Sequence, residues 1–507
     1  MLTTPKPLNP NEWLADTSDC KGFYRALQEH LIESVSRPLG APSSKVAYLF
    51  QKHPSGQFDD EVYELADQLR STVLEVHGVH FPASEKESKW DYLQLFTLIP
   101  KLHFVNCHFY CSEFSNEFLQ PHFTGCTFHH KFQVAEWDAP DQGFALFESC
   151  CFKQKASIKG NELGRLPVMG YSSVFKDCEL AQVSVKNTEV DTRLFWFSIE
   201  IPAKLQKLKI KNCTIKKKLS LANIKGIQSL ELISTVFNKK FALINCSCAA
   251  VDINNTNFNG LADFYESRFE KLRIQKSIFR DFAGFEDCHF GVEQAEPSKI
   301  FLNYVTFYSF INFRSAVFNQ PLDLRNTNRQ QQPNFLDARF KAQALQGTDR
   351  ETFRIIKHSF DAVGNHIEAN KYFARELQAY RRELHQQAAK GETNNLRERL
   401  LLWLNAQISN HGQNYLKPAI WLGVTISLAA LVFANDRNPW FTAHPLMQNW
   451  WDPTVDFMNG LALGFLPIHA LVGQSKHHLA FVLLVTLVLI STFTWHLLVA
   501  IRRHSKR

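Results

Sequence analysis

The stretch Phe264–Phe282, FYESRFEKLRIQKSIFRDF, sets apolar side chains at Phe264, Phe269, Ile274 and Phe279, one at every fifth position. An amphipathic helix repeats its apolar face every 3.6 residues and a half-buried strand every two, so neither period fits. Followed outward, the spacing holds at Phe104, Phe109 and Phe114, at Phe118, Phe123 and Phe128, and at Phe147 and Phe152. It runs on through Phe175, Leu180, Val185 and Val190, then Ile210 and Ile215, Ile253 and Phe258, Phe285 and Phe290, Phe313 and Phe318, and Phe335 and Phe340. Two residues before most of these stands a small side chain, as at Cys107, Cys126, Cys150, Cys178, Thr188, Cys213, Thr256, Ser267, Ser277, Cys288, Ala316 and Ala338.

A chain that turns a corner every five residues sends one large and one small side chain inward from each side. Four sides close a square coil, and successive coils stack at the ordinary interstrand distance of about 4.8 Å. The bore then holds ladders of large side chains, and the second inward position on each side has room only for a small one. That accounts for the cysteines. Ten of the eleven fall between Cys107 and Cys288, with no CxxC pair, and read as small buried hydrophobes kept reduced in a cytoplasm.

The pattern resembles the pentapeptide-repeat family, whose consensus is A-(D/N)-L-x-x. The segments that carry the resemblance are NCHFY from Asn106, DCELA from Asp177, NCTIK from Asn212 and DCHFG from Asp287. It covers residues 101–342, with a first coil at VHGVHF from Val76, and lapses at Gly160–Met169 and Glu293–Ser298, which read as ejected loops. The resemblance implies a mainly β fold, a right-handed quadrilateral β-helix. A solenoid needs its ends covered. Residues 1–100 are expected to supply a helical N-terminal cap and the first coil. One helix is read at Asp59–Val76, with Val62, Leu65, Leu69 and Val73 on one face, and another from Pro82, with Ser84 and Glu87 as a capping box.

After the repeats, residues 343–415 read as a helical connector. Phe353, Ile356, Phe360, Val363, Ile367 and Phe373 follow a helical course broken at Gly364, and LRERLLLWL from Leu396 approaches a bilayer, with Arg397 and Arg399 toward anionic lipid. Residues 416–507 read as a membrane module. Uncharged runs at 418–435 and 479–501 are long enough to span, and Trp421 and Trp495 suit the interfaces. The basic tail RRHSKR and the charge-poor loop between the runs place body and tail in the cytoplasm of a bacterial inner membrane. The N-terminus carries no basic-then-apolar signal pattern, which agrees. Between the runs, 457–475 is uncharged but broken by Gly460, Gly464, Pro467 and Gly473; it reads as a re-entrant or interfacial segment.

That skeleton suggests an oligomeric channel-like protein with a sensing or coupling solenoid, with Gly460, Leu463, Gly464, Pro467 and His469 as pore candidates and His496 as an intramembrane polar residue. The alternative is a non-conducting, membrane-tethered scaffold that binds a protein partner on the coil. Lys204, Lys207, Lys209, Lys211, Lys216, Lys217 and Lys218 are read as one basic outward face, either simply solvated or directed at anionic lipid or nucleic acid. Some pentapeptide-repeat proteins imitate DNA with an acidic face. The lysines and the net charge of +7 make that, and nucleic acid in general, an unfavoured partner. Membrane lipids and further copies of the chain are the expected partners. No phosphate-cradling loop, metal motif or nucleophile elbow is present, so no enzyme and no cofactor is expected.

Overall fold

The computed structural model describes residues 20–50, 60–83, 90–115, 119–140, 143–198, 203–293, 299–391, 395–437 and 480–505. The chain divides after Gly347 into two compact units.

The first unit is a β-solenoid of about ten turns, and every strand pairing in it is parallel. A typical turn contributes Phe241–Ile244, Ser247–Asn254 and Asn257–Phe258. In the middle strand the in–out alternation breaks at Ala249 and Ala250, two successive outward-facing residues, where the strand rounds a corner.

Two of the corners are set by backbone conformation. Asn106, Ser149, Asp177, Asn223, Asn245, Glu266, Asp287, Ser315 and Asp337 all have φ between 49° and 59°, and they recur coil after coil at one corner. A second line runs through Asn187, Asn212, Ser234, Asn255, Lys276, Tyr304 and Asn326. The left-handed region disfavours side chains in general but tolerates Asn and Asp, which are common here. Gly125 holds the first line between Asn106 and Ser149, at φ 65°; a Cβ there would lie 2.3 Å from Asn106 Oδ1. Stacked corner amides bond to one another, Asn212 Nδ2 donating to Asn187 Oδ1 at 3.0 Å and Asn245 Nδ2 to Asn223 Oδ1 at 2.8 Å.

The residue after most corners points inward and is small; Ile224 and Val305 are larger exceptions. Thiols at this place donate to a carbonyl of the preceding coil: Cys107 to Val76 at 3.2 Å, Cys126 to Phe104 at 3.3 Å, Cys150 to Phe123 at 3.4 Å and Cys178 to Phe147 at 3.4 Å. Serine and threonine do the same work, Ser267 to Leu243 at 2.7 Å and Thr256 to Leu232 at 3.1 Å. Burial pushes the thiol of Cys111 up to about 12 and that of Cys246 up to about 11. The ten cysteines from Cys107 onward carry no disulfide.

The large inward residues form the expected ladders. Phe81, Phe109, Phe128 and Phe152 stack at 4.9, 4.8 and 4.4 Å, and Phe264, Phe285, Phe313 and Phe335 at 4.6, 5.2 and 4.9 Å. Each ring lies on the one below, so every coil completes its neighbour's core.

The N-terminal end is covered. Helix α1 (Cys20–Leu39) buries Phe23, Leu27, Leu31 and Val35, and Phe23 meets the first-coil ring Phe81 edge-on at 6.0 Å. Two short helices follow, α2 (Ser43–Leu49) and α3 (Asp60–Ser71), the latter burying Leu65 and Leu69. Val73, read as part of the same apolar face, lies beyond its end and is exposed. The capping box at Ser84 and Glu87 falls outside the described residues. What is described there is a 3-10 turn, Tyr92–Leu98, whose start is capped by the Asp91 carboxylate accepting from Leu93 N at 3.1 Å.

The stretch Gly160–Met169 is only partly a loop. Asn161 Oδ1 accepts from the backbone of Leu163 and Arg165, after which Val168–Met169 rejoins the coil beside Trp137–Asp138, with Leu166 and Val168 buried. Of the second lapse, Glu293–Ser298, only Glu293 lies within the described residues.

The last strand ends at Phe340, and helix α4 (Ala342–Gly347) closes the first unit. The second unit is helical: α5 (Arg350–Ala362), α6 (His366–Ala389), α7 (Leu396–Ser409), α8 (Leu416–Arg437) and α9 (Ala480–Ser505). Asp349 caps α5 by accepting from Thr352 N at 2.9 Å, and Gly364 (φ 75°) makes the turn into α6. Val363 and Ile367, read as part of the apolar face, are exposed at this turn, because the break rotates them off the α5 stripe. Helix α6 packs on α5 through Ala369, Ala374 and Ala379, and its buried Glu376 accepts from Arg354 Nε at 3.0 Å.

Candidate functional site

Helix α7 ends in three successive left-handed residues, Asn410 (φ 48°), His411 (φ 61°) and Gly412 (φ 78°), which turn the chain into α8. At the third a Cβ would sit 2.4 Å from Arg503 Nη1. That closeness is part of a latch. Arg503, near the end of α9, donates through Nη1 to the carbonyl of His411, and its guanidinium lies over the Phe373 ring of α6 at 4.9 Å. Asn370 of α6 donates to the Arg503 carbonyl at 3.2 Å, and Gln413 donates to the Asn370 carbonyl at 2.7 Å. Ser409 is fully buried; its hydroxyl accepts from Gly412 N at 3.0 Å and lies 3.4 Å from His496 Nδ1. His496 thus serves to join α9 to the α7–α8 turn. His411 is also buried, neither ring nitrogen has a hydrogen-bond partner, and burial holds its pKa below the usual imidazole range, with Arg381 and Arg503 adding to the effect. Through the His411 carbonyl and the Asn370 amide, Arg503 links the connector helix α6 and the α7–α8 turn to α9.

Around this junction the helices expose large apolar side chains. Leu396, Leu400, Leu401, Trp403 and Leu404 do so on α7, Ile420, Trp421, Val424 and Leu428 on α8, and Leu484, Val488, Trp495 and Leu498 on α9. Leu484–Arg503 is twenty residues with mean hydropathy 2.1, and among the described residues it is the one helix long and apolar enough to cross a membrane. The apolar run of α8, Leu416–Val432, is shorter, at 17 residues. The expectation of spans at both 418–435 and 479–501 is met on length and apolarity by the second alone. The pore candidates Gly460, Leu463, Gly464, Pro467 and His469 lie outside the described residues.

On the solenoid, the seven lysines read as one face are divided by the Asn212 corner (φ 53°). Lys204, Lys207, Lys209 and Lys211 lie on one strand, whereas Lys216, Lys217 and Lys218 follow the next, Thr214–Ile215, in a different sheet. Three are paired: Lys204 with Glu179 at 2.6 Å, Lys209 with Glu231, and Lys216 with Glu189. The register brings in lysines that local spacing does not reveal. Lys159, Lys186 and Lys211 stand directly opposite one another on three consecutive coils, and Lys155 and Lys207 flank Gln182 in the same way.

No protein-family model, no curated protein and no solved structure matches the chain.

The early coils carry two stacked columns of histidines. His80 and His108 stack at 4.3 Å, and His108 Nδ1 lies 3.1 Å from His129 Nε2. On another side His103 and His122 stack at 4.6 Å, with Glu75 3.4 Å from His103 and Glu148 3.8 Å from His122. Among the described residues no group of three or more His, Cys, Asp or Glu is placed to hold a metal ion.

Proposed function

We propose that this chain is a bacterial inner-membrane protein of the pentapeptide-repeat type. Its solenoid is a right-handed quadrilateral coil in the cytoplasm that binds a protein partner and is coupled to membrane helices through the α5–α7 connector. The observation that carries this reading is the helix Leu484–Arg503, of which 17% is buried. A water-soluble chain exposing that surface, together with the leucines of α7, would aggregate. The helix α8 fits the same bilayer. Its 17 apolar residues reach about 26 Å, a few ångströms short of a core of about 30 Å, a mismatch met by local thinning and snorkelling. The basic end of α9, with Arg502 and Arg503, favours the cytoplasmic side.

The reading assigns no catalysis and no cofactor. It ranks a tethered, coupled scaffold ahead of an oligomeric channel. The hydroxyls of Thr425 and Thr492 donate to their own helix, to the Trp421 carbonyl at 2.8 Å and the Val488 carbonyl at 2.7 Å, so each is satisfied without water. The test is extraction and topology in the native membrane. The chain stays in the pellet after alkaline carbonate, and protease digests the solenoid in inside-out vesicles but not in intact spheroplasts. Release by carbonate, or digestion from the outside, would overturn the proposal. Unitary currents from purified protein in planar bilayers would restore the channel reading.

A further inference from the structure

The columns Lys155–Gln182–Lys207 and Lys159–Lys186–Lys211 lie two rows apart on one solenoid side, separated by Ser157, Ser184 and Lys209. Ala156, Ile158, Val183, Val185, Leu208 and Ile210 are buried beneath them, and Ser184, between the columns, is fully buried as well. The lysines therefore stand on a flat sheet face about 10 Å by 13 Å. Like charges directly opposite across strands are destabilising, and here three follow in succession. Lys209 has Glu231 for a partner, yet none of Lys155, Lys159, Lys186, Lys207 and Lys211 has an ion pair among the described residues. The Lys155 ammonium is held below its usual pKa range by burial and by Lys186, Lys131 and Lys209. The charge ends abruptly, because on the next coil the Lys159 column continues as Ile233 and then Asn254.

We propose that this face docks on the anionic headgroups of the leaflet in which the same chain is anchored. The inference rests on the membrane reading above. Three observations favour lipid over nucleic acid. The face is flat rather than grooved. Its cations are all lysines, point charges suited to a headgroup plane, with no arginine fork among them. No aromatic side chain stands between them to stack on a base. The anchor also keeps the solenoid within reach of the leaflet, so even modest attraction per lysine suffices.

The test is lysine footprinting of the full chain reconstituted in nanodiscs, with an amine-reactive reagent read by mass spectrometry. In discs with about 30% phosphatidylglycerol, modification of Lys159, Lys186 and Lys211 is expected to slow at least about three-fold relative to phosphatidylcholine discs, and to recover at about 0.5 M salt. Lys217, Lys218 and Lys239, on another side, keep their rates. In the Lys159→Gln, Lys186→Gln, Lys211→Gln variant, protection of Lys155 and Lys207 falls away while the protein still enters discs. Equal rates in both lipids overturn the docking and leave the anchor standing, whereas failure to enter even zwitterionic discs overturns the anchor itself. Protection by added duplex DNA but not by anionic lipid would also overturn the proposal and assign the face to a polyanion.

Discussion

Phe282 and Phe285 are three residues apart, and the five-residue register predicts opposite fates for them. Phe285 is fully buried, its ring lying 4.6 Å from Phe264 below and 5.2 Å from Phe313 above, nearly parallel to both. Phe282 faces outward, half-buried, with a single looser stack on Phe310 at 6.1 Å. Truncating Phe285 to alanine removes the transfer free energy of the ring and leaves a cavity that stiff neighbouring coils cannot fill, a cost of about 3–5 kcal/mol. Truncating Phe282 forfeits part of one surface stack, about 0.5–1 kcal/mol. Because each coil is completed by the next, the Phe285→Ala loss spreads along the solenoid as raised local opening. Hydrogen exchange on the full chain in detergent reads this coil by coil. The expected result is a drop in protection from about Phe264 to Phe335 for Phe285→Ala and little change for Phe282→Ala. Equal losses, or the larger loss at position 282, would refute the register.

Four further outcomes follow from the same geometry. Asn255→Val puts a β-branched residue at φ 51° and should cost at least about 1–2 kcal/mol in urea titration, while Asn255→Gly should be near neutral. Burial first, then His103, lowers the pKa of His122 from 6.5 to about 4, so the unfolded chain takes up this proton first. Stability is therefore full above about pH 6.5 and falls toward pH 4, by on the order of 2–3 kcal/mol from this site. His122→Gln should flatten that part of a pH–melting profile. Gly412→Ala combines φ 78° with a collision at Arg503 Nη1; it should loosen the junction by about 1–2 kcal/mol and raise exchange in 405–415, with the solenoid unaffected. Among the cysteines from Cys107 onward, native-state alkylation should reach the half-exposed Cys151 first, the others reacting only on unfolding.

The solenoid was legible because its cause is periodic. A fifth-residue apolar side chain and a small residue two places earlier have no other common explanation, and the structure stacks those residues from Phe81 to Phe340. What failed to show was whatever depends on residues distant in sequence. The lysine columns join positions about 27 and 25 residues apart, and only the coil register relates Lys159 to Lys186 and Lys211. Local spacing instead grouped Lys211 with Lys216, across a corner that a single Asn212 creates. The junction was hidden for the same reason. His496 stood out as a polar residue in an apolar run, but its partner Ser409 is 87 residues earlier. The unusual sign at Asn410–Gly412 was the Asn-His-Gly triplet itself, a run tolerant of left-handed backbone at the end of a helix.

The most direct test of the account is an electron cryomicroscopy reconstruction of the full chain in a lipid nanodisc. The expected map shows four-sided rungs about 4.8 Å apart, joined through helices to density crossing the disc. A compact helical body in place of the rungs, or a solenoid with no density entering the lipid, would contradict it.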